Sequence, residues 1–357
     1  MSQKKPVTVL VVDDSAVMRD LLVKGLSLDR DLRVIGKASD VYSARDRIVQ
    51  LRPDVMTLDI QMPGMDGIEF LKRLMPQYPL PVIVVSALTP AGSRQAMDAL
   101  EAGALEVVAK PAANNPNGLA EMIAELAAKI KEAALVNVAK LHKPPAQRAA
   151  AMPQAELTDL AKHLVVIGAS TGGTIALTQI ISALPAKFPP VVIVQHMPAV
   201  FTKMFADSLA RVSQLAVVEA TDRLPLRPGL VVVAAGDFHA SVVKLKGQWI
   251  IRCTTGPLVS GHRPSVDVLF QSVALSAGDR AIGVLLTGMG RDGADGLLAM
   301  RAAGARCLAQ DENSSVVFGM PKAAWDNGGA ERLVSLEHIA PTLVTMLATS
   351  QTKGVQS

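Results

Sequence analysis

The chain has few aromatic residues, few cysteines and little net charge. Aromatic residues make up 3% of its 357 residues, so the stacking surfaces that bind single-stranded nucleic acid are not expected. Its two cysteines, Cys253 and Cys307, are too far apart for a metal knuckle and too few for a disulfide framework, which fits a reducing compartment. The 36 basic and 32 acidic side chains leave a net charge of +4, which is too small to indicate nucleic-acid binding by itself.

Long hydrophobic segments are also missing. No uncharged apolar run approaches the roughly 18 residues of a membrane-spanning helix. The apolar run near the amino terminus, Val7–Val12, ends at Asp13 and Asp14 and is too short for a signal peptide. Half of all residues are nonetheless hydrophobic, enough to build folded cores. We therefore expect a soluble cytoplasmic protein without membrane insertion.

Length and composition predict two folded domains separated by a linker. At about 150 residues per domain, a chain of this length contains two or three domains. The segment after residue 125 is rich in alanine and lysine and then contains Pro144, Pro145 and Pro153, which is typical of a helix that runs into a linker. We predict a first domain over residues 6–125, a linker over 126–162 and a second domain over 163–350.

Short aliphatic runs alternate with helical patterns in both predicted domains. Such alternation predicts parallel, doubly wound sheets, so we expect an α/β fold with a five-stranded first domain and a larger second domain. The segment Ala240–Cys253, with Gly247 at its turn, predicts an antiparallel excursion. The predicted strands are Val7–Val12, Leu32–Ala38, Asp54–Leu58, Val82–Val85 and Leu105–Ala109 in the first domain, and His163–Ile167, Val191–Gln195, Leu230–Ala234 and Ile282–Thr287 in the second.

Polar side chains follow the predicted strands of the first domain. Asp13 and Asp14 come after the first strand and Asp59 after the third. Ligands of open parallel sheets bind at the carboxyl ends of strands, and carboxylates that meet there require a cation, for which oxygen ligands favour Mg²⁺. Ser86 and Lys110 end the fourth and fifth strands. A hydroxyl and an ammonium group facing such a site suit a phosphoryl group.

A possible nucleophile follows the first strand of the second domain. The sequence Gly168-Ala169-Ser170-Thr171-Gly172 has the spacing of a nucleophile elbow, although glycine-rich strand–helix turns also bind phosphate. His196 directly follows the next strand, and Asp292 lies in a loop after a later one. A serine, a base and a carboxylate at neighbouring strand ends predict nucleophilic catalysis.

Other polar residues of the second domain are weaker candidates for the catalytic site. The backbone N–H of Thr171, the residue after the nucleophile, is placed to stabilise an oxyanion. His239 and His262 are further candidates for the cleft, whereas Asp267 is better explained as a helix cap or an ion-pair partner. The chain order Ser–His–Asp differs from that of the ordinary α/β-hydrolase fold.

Residues 7 to about 125 resemble the receiver domain of two-component response regulators. The resemblance is carried by Val-Asp-Asp-Ser at 12–15, Leu-Asp-Ile-Gln-Met-Pro-Gly-Met-Asp-Gly at 58–67, Ser-Ala at 86–87 and Lys-Pro at 110–111. It implies that Asp59 is the phosphoacceptor and that Ser86 and Lys110 contact the phosphoryl group. It also implies a Mg²⁺ site formed by Asp13, Asp14, Asp59 and the Gln61 carbonyl. Val107 departs from the pattern, because receivers commonly have an aromatic residue three positions before the lysine.

Residues 163 to about 350 resemble the catalytic domain of the chemotaxis protein-glutamate methylesterases. The matching stretches are Ile-Gly-Ala-Ser-Thr-Gly-Gly at 167–173, Gln-His-Met-Pro at 195–198, His-Arg-Pro-Ser-Val-Asp at 262–267, Leu-Thr-Gly-Met-Gly-Arg-Asp-Gly at 286–293 and Val-Phe-Gly-Met-Pro at 317–321. The resemblance implies a triad of Ser170, His196 and Asp292 that needs no cofactor, with the Met289 backbone as a second oxyanion donor. It implies glutamyl methyl esters of methyl-accepting chemoreceptors as substrates, with glutamine deamidation as a further reaction.

The two resemblances together imply a phosphorylation-activated enzyme of sensory adaptation. A chemotaxis histidine kinase would be the phosphodonor, and the unphosphorylated receiver would block the catalytic cleft. Three alternatives remain at this point: a receptor-binding regulator without hydrolase activity, a serine hydrolase of small esters, and a DNA-binding regulator. The last is disfavoured because residues 164–357 carry 16 basic and 13 acidic side chains and show no basic helix-turn-helix pattern.

Overall fold

The computed structural model describes residues 5–62, 65–87, 89–111, 115–136 and 160–349. Its contacts divide the chain into two units, Met1–Lys143 and Pro144–Ser357. Most of the predicted linker, residues 137–159, lies outside the described residues, as do Pro63 and Gly64 of the 58–67 motif. The last helix of the first unit continues to Ala133, eight residues past the predicted domain end at 125.

The first unit is a five-stranded parallel sheet with strand order β2-β1-β3-β4-β5. This confirms the predicted fold class, and each predicted strand end is correct to within one residue. The strands are β1 Val7–Val12, β2 Leu32–Ala38, β3 Val55–Leu58, β4 Val82–Ser86 and β5 Glu106–Ala109. The helices are α1 Ala16–Leu26, α2 Val41–Leu51, α3 Gly67–Gln77, α4 Pro90–Glu101 and α5 Gly118–Ala133.

Local sequence explains where these elements begin and which faces they bury. The side chain of Ser15 accepts a hydrogen bond from the Met18 backbone at the start of α1, and Asp40 and Asp66 begin α2 and α3 in the same way, as expected of N-cap residues. All four residues of β3 are buried, because helices cover both faces of a parallel sheet. From β1 the chain continues to β2 on one side and to β3 on the other, so the direction of strand addition reverses next to β1. This reversal places a crevice at the carboxyl ends of β1 and β3.

The second unit is a seven-stranded parallel sheet accompanied by a two-stranded antiparallel sheet. The large sheet has the order β14-β13-β12-β6-β7-β9-β8. The strands are β6 Leu164–Ala169, β7 Val191–Gln195, β8 Ala216–Glu219, β9 Leu230–Val233, β10 His239–Leu245, β11 Gln248–Thr254, β12 Ala281–Leu285, β13 Arg306–Gln310 and β14 Arg332–Val334. The helices are α6 Gly173–Ala183, α7 Ala199–Val212, α8 Val266–Ser276, α9 Ala294–Ala302, α10 Met320–Asp326 and α11 Leu336–Thr349.

The antiparallel hairpin β10–β11 lies where the sequence predicts it. Its strands pair from His239 opposite Thr254 to Leu245 opposite Gln248. The two turn residues, Lys246 and Gly247, both have positive φ, at 49° and 85°, which is the two-residue turn that matches strand twist. Trp249 of the hairpin donates a hydrogen bond to the Ser276 carbonyl of α8 at 3.2 Å, so the hairpin and α8 pack together.

The central strands of the large sheet bring distant parts of the chain to one edge. Ala169, the last residue of β6, pairs with Gln195, the last residue of β7, so the residues that follow them, Ser170 and His196, leave neighbouring strands at the same level. On the other side of β6, Leu285 at the end of β12 pairs with Gly168. In the part of the chain that the structure describes, no helix is long and apolar enough to cross a membrane.

Candidate active site

Ser170 occupies the sharp turn between β6 and α6. Its backbone N–H donates to the Thr287 carbonyl at 3.0 Å, and its carbonyl accepts from the Gly173 N–H at 2.7 Å. Glycine is required in this turn, because Gly172 has a φ of +77° and a Cβ on Gly173 would lie 2.1 Å from Gln195 Oε1. The turn thus holds Ser170, whose surface is 9% exposed, at the carboxyl edge of the sheet.

His196 lies beside Ser170 at the end of β7. Its backbone N–H donates to the Ala169 carbonyl at 3.1 Å, and its ring Nε2 is 2.8 Å from Asp292 Oδ2. An ionised carboxylate only accepts hydrogen bonds, so Nε2 carries the hydrogen and Nδ1 of the neutral ring keeps a lone pair. That Nδ1 atom is buried and has no hydrogen-bond partner among the described residues. The ring is therefore oriented as a base whose accepting atom is available.

Asp292 is buried and held by several donors. Its carboxylate accepts from Ser265 Oγ at 2.7 Å, from the Val266 N–H at 2.7 Å and from the Asp267 N–H at 3.2 Å, in addition to His196. Burial raises the pKa of this carboxyl, but the hydrogen bond and charge of His196, with those of Ser265 and Val266, lower it more, to about 2. Asp292 is ionised at neutral pH and stabilises a positive charge on His196.

Two further side chains that the sequence analysis did not single out fix the nucleophile and the base. Gln195 is buried, and its Nε2 donates to the carbonyls of Ser170 at 3.0 Å and of His196 at 3.1 Å. Ser265 Oγ donates to Asp292 Oδ1 at 2.7 Å. Both residues lie in stretches that match the methylesterase domains, at 195–198 and 262–267, but nothing in the sequence assigned either of them a role, and Ser265 is the N-cap of α8.

The weaker sequence candidates take different places around this site. His262 stacks on His196 with ring centroids 3.7 Å apart and an interplanar angle of 11°. His239 bonds instead to the Pro257 carbonyl at 2.9 Å and to the Ser265 N–H at 3.3 Å. Asp267 accepts from the Gly296 N–H at 2.7 Å, in the first turn of α9, which confirms its interpretation as a cap.

The two expected oxyanion donors flank the nucleophile. Thr171 is buried, and its carbonyl accepts from Thr287 Oγ1 at 2.9 Å. The Gly288 carbonyl accepts from the N–H groups of Gly319 at 3.1 Å and Met320 at 2.8 Å, so the Met289 N–H of the same trans peptide points away from them. Gly288 lies against Ser170, because a Cβ added to Gly288 would be 2.7 Å from the serine Cβ.

A second polar cluster lies in the first unit, at the carboxyl ends of β1, β3 and β5. Carboxylate oxygens of Asp13, Asp14 and Asp59 lie within 4.8 Å of one another. Lys110 Nζ donates to Asp59 at 2.6 Å and to Asp13 at 3.0 Å. Burial raises the pKa of Asp13 more than Lys110 lowers it. For Lys110, burial lowers the pKa, but the hydrogen bonds and charges of Asp59 and Asp13 raise it overall.

The surroundings of the cluster fit a hard cation and a charged ligand. Its three carboxylates are the oxygen donors that Mg²⁺ prefers, and Asp14 and Gln61 line an adjacent cavity of about 380 Å³. The Gln61 N–H is 3.3 Å from Asp59 Oδ1. Ser86 Oγ donates to the Gly92 carbonyl in α4 at 3.0 Å. Val107, at the position where receivers commonly have an aromatic residue, is buried in β5.

Comparison with known proteins gives two family matches that do not overlap. The model of the CheB methylesterase family matches residues 165–343, and the model of the response regulator receiver domain matches residues 9–124. The crystal structure of the Thermotoga maritima CheB methylesterase catalytic domain is 38% identical in sequence with a TM-score of 0.51, over 52% of this chain and 98% of that one.

Relatives match nearly the whole chain. A protein of Syntrophotalea carbinolica is 51% identical over 349 residues, which is 96% of this chain and 98% of its own length. One of Caulobacter vibrioides is 49% identical over 348 residues, 95% of this chain and 98% of its own length. Both are named protein-glutamate methylesterase/protein-glutamine glutaminase, the second with the number 1.

Proposed function

The chain belongs to the CheB methylesterase family, and from that premise we propose that Ser170, His196 and Asp292 form its catalytic triad. The substrates are glutamyl methyl esters of chemoreceptors, with receptor glutamines as a second substrate. The observation that carries the triad is the His196 Nε2–Asp292 Oδ2 contact of 2.8 Å. It leaves a buried Nδ1 that has no hydrogen-bond partner within the described part of the chain, on the strand end beside Ser170.

The geometry supports acyl transfer in two steps. His196 Nδ1 accepts the Ser170 hydroxyl proton as Oγ attacks the ester carbonyl, and Asp292 stabilises the resulting imidazolium. The N–H groups of Thr171 and Met289 stabilise the negative oxygen of the tetrahedral intermediate. The imidazolium then protonates the departing methoxide, so methanol leaves and a glutamyl ester of Ser170 remains. Water, deprotonated by His196, releases the glutamate; from a glutamine, ammonia leaves in place of methanol.

The test of the triad is methanol release from methylated receptor. Ser170→Ala and His196→Ala are expected to abolish turnover, and Asp292→Asn is expected to reduce kcat strongly, by about 10⁴-fold as for other triads, with the fold retained. Ser182→Ala is the matched control, because that hydroxyl is exposed and donates to the nearby Gln179 carbonyl in α6. Wild-type turnover by a folded Ser170→Ala protein would refute the assignment.

The first unit is the receiver that controls this activity. Asp59 accepts a phosphoryl group from a chemotaxis histidine kinase, and Ser86 and Lys110 contact its oxygens. Asp13, Asp14, Asp59 and the Gln61 carbonyl hold Mg²⁺, which when bound neutralises charge on the phosphoryl group. The boundaries predicted from the sequence are residues 6–125 for the receiver, 126–162 for the linker and 163–350 for the catalytic domain, and α5 extends the receiver to Ala133. The proposed site of action is the cytoplasm.

A hydrolase of chemoreceptors is favoured over the other two classes. A scaffold that only binds receptors has no need for a base held in one tautomer by a buried carboxylate. Trapping Ser170 with an acylating probe separates an enzyme from a binding protein. Comparing methyl-labelled receptor with small methyl esters then separates the methylesterase from a general esterase, since the former is expected to prefer the receptor.

A further inference from the structure

The amino-terminal turn of α8 surrounds the carboxylate of Asp292. Three of the four donors to this carboxylate come from consecutive residues: the Ser265 hydroxyl to Oδ1, the Val266 N–H to Oδ2 and the Asp267 N–H to Oδ1. The fourth donor is His196. Oδ1 accepts two hydrogen bonds from α8 and its N-cap, and Oδ2 accepts one from α8 and one from His196. The carboxylate group therefore has little freedom to rotate, and α8 fixes the plane in which it contacts the histidine.

The Ser265 hydroxyl serves Asp292 more closely than it serves its own helix. As N-cap of α8, its oxygen accepts from the Val268 N–H at a long 3.4 Å. The same hydroxyl lies only 2.7 Å from Asp292 Oδ1. A carboxylate cannot donate, so the serine proton points to Asp292, and the shorter contact is the stronger one. Capping alone would be satisfied equally by aspartate or asparagine.

His239 holds the backbone of Ser265 from the other side. Its Nδ1 accepts from the Ser265 N–H at 3.3 Å, so its Nε2 carries the hydrogen that is donated to the Pro257 carbonyl at 2.9 Å. Both His239 and Ser265 are buried. A continuous hydrogen-bonded chain therefore runs from the Pro257 carbonyl through His239, Ser265 and Asp292 to His196.

Packing fixes α8 against the same strand ends. Val266 is fully buried and lies against Gly168 of β6 and Gly293 beside Asp292. A Cβ on either glycine would approach the Val266 side chain to 2.2 or 2.5 Å. The valine thus fills the space that two glycines leave open, and the first turn of α8 is not free to move away from Asp292.

From these contacts we infer that Ser265 is a positioning residue of the esterase, which acts on the reaction through Asp292, with His239 behind it. The inference rests on the proposed triad and adds a fourth side chain to it. Ser265 does not reach the substrate. Its effect is therefore on kcat, through the orientation of His196, and it requires the Asp292 carboxylate to be present.

The experiment is a double-mutant cycle in the full-length protein. Ser265→Ala is expected to lower kcat for methanol release from methylated receptor by about 10- to 100-fold, the cost of a small misplacement of a catalytic group, with KM nearly unchanged. In an Asp292→Asn background the same change is expected to alter kcat by less than about threefold, because residues that act as a unit are not additive. The matched control is Ser272→Ala, which removes an α8 hydroxyl bonded to the Leu269 carbonyl and the Val242 N–H.

Each outcome decides between the possibilities. If Ser265→Ala and Ser272→Ala have equal kcat, or if Ser265→Ala lowers kcat by the same factor with and without the Asp292 carboxylate, the positioning role is wrong and the serine is only a cap. The thermal unfolding midpoint of each variant is measured as well, to show that every variant is folded at the temperature of the activity assay. If Asp292→Asn itself leaves kcat unchanged, the proposed triad fails, which is a separate result.

Discussion

At the scale of single residues, two buried aspartates 25 positions apart have pKa values shifted in opposite directions. Asp292 has four donors, and its pKa is lowered to about 2. The Asp267 carboxylate accepts from the Gly296 N–H, and a side-chain hydrogen bond with Asp292 favours its protonated form. Burial and the negative charge of Asp292 raise its pKa to about 6, although the Gly296 hydrogen bond opposes the shift. The number of donors that reach each carboxylate explains the difference.

The raised pKa of Asp267 predicts that its charge destabilises the catalytic unit. An acid whose pKa is higher in the folded than in the unfolded state binds more protons when folded, so stability falls as pH rises from about 4 to about 6. Asp267→Asn keeps an oxygen for the Gly296 N–H and removes the charge. At pH 7 the variant is expected to be more stable by about 1–2 kcal/mol, and near pH 3.5 the two proteins are expected to be alike.

Urea unfolding followed by tryptophan fluorescence measures this difference, because both tryptophans, Trp249 and Trp325, lie in the second unit. The control is Asp207→Asn, whose exposed carboxylate pairs with Lys203 on α7. A wild-type protein that equals or exceeds Asp267→Asn in stability at pH 7 would show that the charge of Asp267 is compensated.

Sequence reasoning found the site residues that follow strands and missed those that support them. His196 directly follows a predicted strand and Ser170 lies three residues after the end of another, so the topology of a parallel sheet is enough to bring them together. Ser265 contacts Asp292 across 27 positions, and its local sequence predicts only the start of a helix. Gln195 is likewise read as a strand residue. Supporting contacts of this kind depend on side-chain packing in three dimensions, which periodicity does not encode.

At the scale of elements, aliphatic runs predict central strands well and edge strands poorly. The runs that form β6, β7, β9 and β12 are nearly continuous and were predicted. The strands β8 and β14 at the two edges have four and three residues, and β8 alternates between buried and exposed positions. Only one face of β8 is covered. In β13 the polar residues Arg306 and Gln310 at the two ends leave only three apolar residues between them, too few for a recognisable aliphatic run. Such segments lack the signal of a strand buried on both faces.

The contact between β6 and α8 gives a prediction for a glycine. Gly168→Ala would place a Cβ 2.2 Å from Val266 Cγ1 and 3.0 Å from Leu285 Cδ1. Because both neighbours are fully buried, α8 must shift, and with it the donors to Asp292. We expect a loss of about 1–3 kcal/mol in the free energy of unfolding, typical of an overpacked core, together with a lower kcat. Urea unfolding and methanol release measure the two effects.

A second change tests whether Val266 is the cause. Adding Val266→Ala to Gly168→Ala restores space at the contact, so the double variant is expected to recover part of the lost kcat relative to Gly168→Ala alone. Gly256→Ala is the control, because its Cβ would meet only His239 Cδ2 at an ordinary 3.6 Å. A Gly168→Ala protein as stable and as active as Gly256→Ala would mean that α8 tolerates displacement.

At the scale of the whole molecule, each of the two units contains a polar site, and we propose that the first binds a phosphoryl group and the second an ester. Asp59→Asn keeps the shape of the residue but removes the phosphoacceptor oxygen. With a small phosphodonor and Mg²⁺, the wild-type methylesterase rate is expected to rise and that of Asp59→Asn to stay at its basal level. Asp98→Asn, outside the acidic cluster, is the control. Stimulation of Asp59→Asn equal to that of the wild type would place the phosphoacceptor elsewhere.

The proposed regulation also predicts the behaviour of the catalytic unit alone. A fragment that begins at Leu160 retains β6 and every residue of the triad, and a relative's catalytic domain has been crystallised by itself. If the unphosphorylated receiver restricts the cleft, the fragment is expected to release methanol faster than the full-length protein without phosphodonor. If removal of the receiver shifts the ratio of open to closed molecules from 1:99 to 99:1, the free-energy difference between the two states changes by about 5.5 kcal/mol. A smaller acceleration of methanol release implies a smaller change in that free energy. Equal rates for the fragment and the unphosphorylated protein would mean that the receiver acts by another route, such as delivery to the receptor.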